Sequence, residues 1–113
     1  MSFYRTLEEH GIEVPDEYVR EGVYNDPKVA AEETKELLKL KKTPTCILYP
    51  DDYAAFGGIS AIRETGMSVP DDISIAGFDG IPVTEILEPP LTTYSQDTGR
   101  IGKRAAAKLI DLI

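Results

Sequence analysis

Three side chains in this 113-residue sequence are suited to gripping a hydroxylated ligand: Tyr24, Asp51 and Asp79. Each follows a short β-branched and aromatic run, at Tyr18 to Val23, Thr45 to Tyr49 and Ile73 to Gly77. In open parallel sheets ligands bind beyond the carboxyl ends of the strands, so residues in these places share one rim. Carboxylates accept paired hydroxyl donors, and an aromatic ring packs on the apolar C–H face of a sugar. A plainer role stands beside each assignment: Asp79 in Phe-Asp-Gly shapes a turn, and Tyr24 packs as a core tyrosine. Asp51 and Asp52 adjoin where a helix pattern begins, and one of them must cap it. The cap is assigned to Asp52, which leaves Asp51 free for ligand.

The same residues make a poor catalytic set. Asp51 and Asp79 have no nucleophile near them in sequence and no feature that drives their acidities apart, so no enzyme activity is expected. His10 lies in a charged helix end beside Glu8 and Glu9, the setting of a solvated histidine, and no second histidine or cysteine stands near it to complete a metal site. Gly58 to Ile62 lacks the second glycine of a nucleophile elbow, and Gly99 to Arg104 has the wrong glycine spacing for a phosphate loop. No cofactor is expected. The basic residues Arg100, Lys103, Arg104 and Lys108 read as the solvated face of the last helix.

The elements that must position the rim alternate. The three runs above and a weaker one at Leu91 to Tyr94 read as strands. Asn25-Asp26-Pro27 supplies a cap and an N1 proline for a helix with Ala30, Thr34, Leu37, Leu38 and Lys41 on one face. A second helix starts at Asp52, faces inward with Ala55, Ile59 and Ile62, and closes at Gly66. Gly57 and Gly58 inside it cost roughly 1 kcal/mol each relative to alanine, so close packing on the sheet is expected there. A short helix over Phe3 to His10 and an amphipathic one over Asp97 to Ile113 complete the pattern. Strand–helix–strand alternation with long crossovers gives an α/β fold: a parallel sheet with helices on both faces. Both ends read as cut from something larger.

Composition narrows the class of partner. With 12 Lys+Arg against 20 Asp+Glu the net charge is −8, which repels phosphate backbones and anionic membranes; at 42% hydrophobic there is material for a core. The longest charge-free run, Tyr53 to Ile62, is too short to span a bilayer, and no signal-peptide core opens the chain. A single cysteine, Cys46, excludes an internal disulfide and fits a reducing cytoplasm.

Three ordered motifs are more specific: Pro44-Thr45-Cys-Ile-Leu-Tyr-Pro-Asp51-Asp52-Tyr-Ala-Ala55-Phe56-Gly57, then Gly66-Met-Ser-Val69-Pro70-Asp71-Asp72-Ile73-Ser74-Ile-Ala-Gly77-Phe78-Asp79, then Pro89-Pro90-Leu91-Thr92-Thr93. From Phe3 to Ile113 the chain resembles the effector-binding domain of the lactose-repressor/galactose-repressor (LacI/GalR) family of transcription regulators. The resemblance implies a periplasmic-binding-protein-like type I fold, of which residues 1–94 are the C-terminal subdomain, lacking its first and last strands. Residues 95–113 are then the returning crossover and a helix of the other subdomain. It implies Tyr24, Asp51 and Asp79 as effector-binding residues with Asp52 as the helix cap at the site. Phe56 and Leu87 fall in part of a homodimer interface, and Tyr94, Ser95, Gln96 and Asp97 in the hinge. The implied partners are a small effector, a sugar or related polyol, and operator DNA through an N-terminal helix-turn-helix outside this chain. The alternative within the same fold is a sugar-binding lobe of a transport system. A lone lobe is expected to bind effector poorly or not at all, since its cleft cannot close, and to self-associate through open sheet edges.

Overall fold

A computed structural model describes residues 2–113. In chain order it contains α1 (Ser2–Glu9), a 3₁₀ turn at Asp16–Tyr18, α2 (Pro27–Leu38), β1 (Cys46–Leu48), α3 (Asp52–Glu64), β2 (Ser74–Asp79), a second 3₁₀ turn at Pro82–Glu85, β3 (Thr92–Ser95) and α4 (Thr98–Leu112). The strands form one parallel sheet in the order β1-β2-β3, with Leu48 beside Ala76 and Asp79 beside Ser95. This register brings the carboxyl ends of all three strands to one rim.

Alternation along the strands divides the sheet. Ile47, Ile75 and Gly77 point into the core, while Cys46, Leu48, Ser74 and Phe78 lie exposed on the opposite face. On the inner face α3 lies against β2, burying Ala54, Ala55, Ala61 and Ile62 with Ile73 and Leu91; α2 packs along α3 through Ala30, Thr34 and Leu37. The helices α1 and α4 bury no residue. Among the described residues, then, helices cover one face of the sheet, which corrects the expectation of helices on both; α1 and α4 are not packed on the other.

The expected strand at Tyr18 to Val23 does not form. A strand persists only where a neighbour satisfies its backbone, and these residues run outside the sheet with Val19 and Val23 exposed. Tyr18 is tied down instead by its side chain, whose hydroxyl donates to the Lys42 carbonyl at 2.7 Å. The first helix of the pair begins as read, with the Asp26 carboxylate accepting from the Lys28 and Val29 amides ahead of Pro27, and it ends at Leu38 rather than reaching Lys41.

The two mid-helix glycines of α3 serve different neighbours. A Cβ at Gly57 would lie 1.9 Å from the Pro27 carbonyl oxygen, so this glycine admits the backbone of α2 rather than the sheet. One at Gly58 would lie 1.9 Å from the Tyr49 hydroxyl, just beyond β1.

Tyr49 is itself buried, and its hydroxyl lies 2.7 Å from Thr34 Oγ1, which in turn donates to the Ala30 carbonyl at 2.6 Å. The phenol therefore donates to Thr34, and burial pushes its pKa up to about 12 from 10.0. Because the folded state prefers the neutral phenol, this stabilisation is complete below pH 10.0 and is lost as pH rises towards about 12. Tyr49→Phe is expected to cost about 1 kcal/mol at neutral pH, the net worth of one hydrogen bond. In urea unfolding across this alkaline range the gap between wild type and Tyr49→Phe should narrow and then invert; a constant gap would contradict the assignment.

Candidate functional site

The rim is organised by two adjacent carboxylates at the start of α3. The true N-cap is Asp51, which corrects the assignment of the cap to Asp52. Its backbone is extended, at φ −155° and ψ 171°, and its Oδ1 accepts from the Ala54 amide at 2.8 Å, three residues on, as a cap must. Asp52 already lies in the first helical turn, so its side chain leaves the helix end and reaches across to the sheet. Both are buried, at 2% and 0% exposure, and both sit where the helix dipole favours negative charge.

Each carboxylate gathers a different loop. Asp51 Oδ2 accepts from the Asn25 amide at 2.9 Å, which fixes the turn carrying Tyr24. Asn25 holds φ 57° there, a left-handed conformation that asparagine tolerates better than most residues. Asp52 Oδ2 accepts from the Gly80 and Ile81 amides, both at 2.9 Å, and its Oδ1 accepts from the Thr93 hydroxyl at 2.6 Å. The Gly80 amide is shared with Thr93 Oγ1 at 3.2 Å. Asp52 thus joins α3 to the turn after Asp79 and to β3. Neither Asp52's reach nor the part played by Thr93 follows from helix periodicity; the adjacent aspartate pair ahead of an apolar helix is the one local sign that more than a cap is present.

The three rim residues end in different states. Tyr24 projects into solvent, 74% exposed, so its ring is free to stack rather than packed in the core. Asp79 ends β2 half-buried at φ 115°, a region L residues rarely adopt. Asp51 has both oxygens occupied by backbone donors, so it is held rather than left free as the cap assignment had it. Tyr94 stacks on Phe78 with ring centroids 5.3 Å apart, and Gln96 donates from Nε2 to Asp79 Oδ1. Phe56 is half-buried and meets Tyr53 edge-on at 5.9 Å, while Leu87 packs half-buried against the core.

The model of the periplasmic binding protein-like domain matches residues 2–113. The chain belongs to that family. Among its relatives, the HTH-type transcriptional repressor PurR of Actinobacillus pleuropneumoniae serotype 3 is 39% identical over 98% of this chain. The match covers 33% of that protein, so the chain spans about a third of the length of this curated relative. Among solved structures, the Lac repressor bound to ONPG superposes with a TM-score of 0.86 at 30% identity, covering 97% of this chain and 33% of that one. A LacI family transcriptional regulator from Arthrobacter sp. FB24, in complex with lactose, gives a TM-score of 0.78 at 27% identity over 96% of this chain and 38% of its own. These relatives are transcriptional regulators, in accord with the order of the chain's motifs. No helix among the described residues is long and apolar enough to cross a membrane.

Proposed function

We propose that this chain is the sensing lobe of a transcriptional regulator and takes a small polyhydroxylated effector, a sugar or related polyol, on the rim beyond its strands. The observation that carries the reading is the Asp51–Asp52 pair, which fastens the Tyr24 turn and the Asp79–Gly80 turn to one helix end. That arrangement presents an open aromatic ring and a carboxylate with a free oxygen, as recognition of hydroxyl groups around an apolar sugar face requires. Asp51 acts by holding Tyr24 in place, Asp52 by holding the turn after Asp79. The structural neighbours carrying lactose and ONPG support this class of ligand.

Residues 1–94 form the lobe, and Tyr94 to Asp97 lead into α4, which buries none of its residues and belongs to a second lobe in the intact regulator. Effector closing the lobes would shift a conformational equilibrium and with it the affinity for operator DNA, bound by a domain outside this chain. The lobe binds without chemical turnover. Half-buried Phe56 and Leu87, flanked by exposed Tyr53 and Ile86, form part of a homodimer contact.

Calorimetric titration of the intact regulator with a panel of monosaccharides and disaccharides tests the reading. Asp79→Ala should weaken the sugar that binds by a factor of about 10 to 100, the loss of a hydrogen bond to a charged acceptor. Unchanged affinity in Asp79→Ala would remove the rim from the binding site.

A further inference from the structure

The crossover from β3 into α4 is strapped to the rim by one residue. Gln96 donates its backbone N–H to the Asp79 carbonyl at 3.3 Å and its Nε2–H to Asp79 Oδ1 at 2.5 Å. Two residues with positive φ adjoin the strap, Asp79 itself at 115° and Asp97, directly after Gln96, at 45°. Gly80 locks the two segments together: a Cβ there would stand 2.7 Å from Ser95 Cα, and its amide is held by Asp52 and Thr93. Beyond the strap, the Asp97 carboxylate caps α4 through the Arg100 amide at 3.2 Å. Among the described residues no other side-chain donor bonds the Asp79 carboxylate, which leaves Oδ2 as an open acceptor.

We propose that Gln96 is a positioning residue: it fixes the Asp79 carboxylate by one oxygen, leaves the other for ligand, and thereby ties occupation of the rim to the direction in which the chain enters α4. A hydroxyl on Oδ2 restrains the carboxylate, which through Oδ1 restrains Gln96 and, two residues on, the start of α4. The ligand half of this proposal rests on the effector reading above; the strap does not.

Amide hydrogen exchange on the full chain, followed by NMR, separates the two. Without ligand, Gln96→Met removes the side-chain donor at nearly constant size, and exchange at residues 96, 100 and 101 should quicken about tenfold, as it should in Asp79→Ala. The double variant should be no faster than either single one, because both remove the same bond. Asp79→Asn keeps an acceptor oxygen and should stay within about twofold of wild type. The Tyr49 and Ser74 amides, bonded to Ala76 and Thr45, report whether the sheet is intact. Unchanged protection in Gln96→Met with an intact sheet, or additive effects in the double variant, would overturn the strap; if the Met variant loosens the sheet, Asp79→Asn and Asp79→Ala behaving alike overturns it as well. With D-galactose, D-ribose or lactose added, a sugar that binds should slow exchange at residues 96, 100 and 101 in wild type and not in Gln96→Met. Equal slowing in both overturns the coupling, and so does no binding by any of the three; the effector reading answers to titration of the intact regulator, and the strap to the ligand-free result.

Discussion

Replacing Asp52 by alanine is expected to cost about 3–5 kcal/mol of stability, because several donors at the rim lose a charged acceptor together. The Ile81 amide and the Thr93 hydroxyl lose their acceptor at once, and the Gly80 amide loses the nearer of its two. Each polar group left unsatisfied away from water costs about 1–3 kcal/mol, while the gain in helix propensity from alanine is well below 1 kcal/mol, so the loss dominates. Asp52→Asn separates charge from geometry. Its oxygen still serves the two amides and its nitrogen can donate to Thr93 Oγ1, so roughly 1–2 kcal/mol of loss is expected. Urea unfolding of the full chain measures both; a loss below about 1 kcal/mol in the alanine variant would show that the β2–β3 rim is held by something else. Because the same bonds place the turn after Asp79, the Gly80 and Ile81 amide resonances should shift in Asp52→Ala more than in Asp52→Asn.

Gly57→Ala sets two principles against each other, and the structure decides between them. Helix propensity alone favours alanine by about 1 kcal/mol in a helix interior. Against this, the new methyl would meet the Pro27 carbonyl oxygen at 1.9 Å and the Pro27 carbonyl carbon at 2.7 Å, both backbone atoms at the start of α2. Side chains can swing aside, but here the N-terminus of α2 would have to lift off α3, and overpacking of this kind costs typically about 1–3 kcal/mol and sometimes more. A net destabilisation of about 2 kcal/mol or more is expected, and thermal unfolding of the full chain reads it. A variant as stable as wild type, or more stable, would mean that the α2–α3 contact yields freely.

These two sites also mark the limit of what is legible in the amino-acid order. The start of α2 and the end of α3 are legible because their signals are local: Asp26-Pro27 opens α2 and Gly66, at φ 81°, follows the end of α3. Strands β1, β2 and β3 fell where β-branched and aromatic runs placed them. The run at Tyr18 to Val23 has the same local character and yet is no strand, since strand formation depends on a neighbour that local sequence does not specify. The division of roles between Asp51 and Asp52 is not legible for a related reason. Adjacent aspartates have the same capping chemistry, and only the backbone, extended at Asp51 and helical at Asp52, settles which of them faces the helix amides. Gly57 was recognised as a close-approach site, but the approaching element, α2 rather than the sheet, is a property of tertiary packing. Rim residues Tyr24 and Asp79 were legible from their place after apparent strands. Gln96 and Thr93 were not legible as parts of the site, because their roles come from the β2–β3 register that sets Asp79 beside Ser95.

The most direct test of the central claim, that the rim fastened by Asp51 and Asp52 is an effector site, is NMR titration of the isotopically labelled chain with monosaccharides and lactose, which detects binding even at millimolar affinity. Shifts are expected to concentrate at Tyr24, Asn25, Asp79, Gly80 and Gln96 and to vanish in Asp79→Ala. Shifts that persist in Asp79→Ala, or that gather instead around Arg63, Pro89 and Pro90 at the far end of α3, would contradict it.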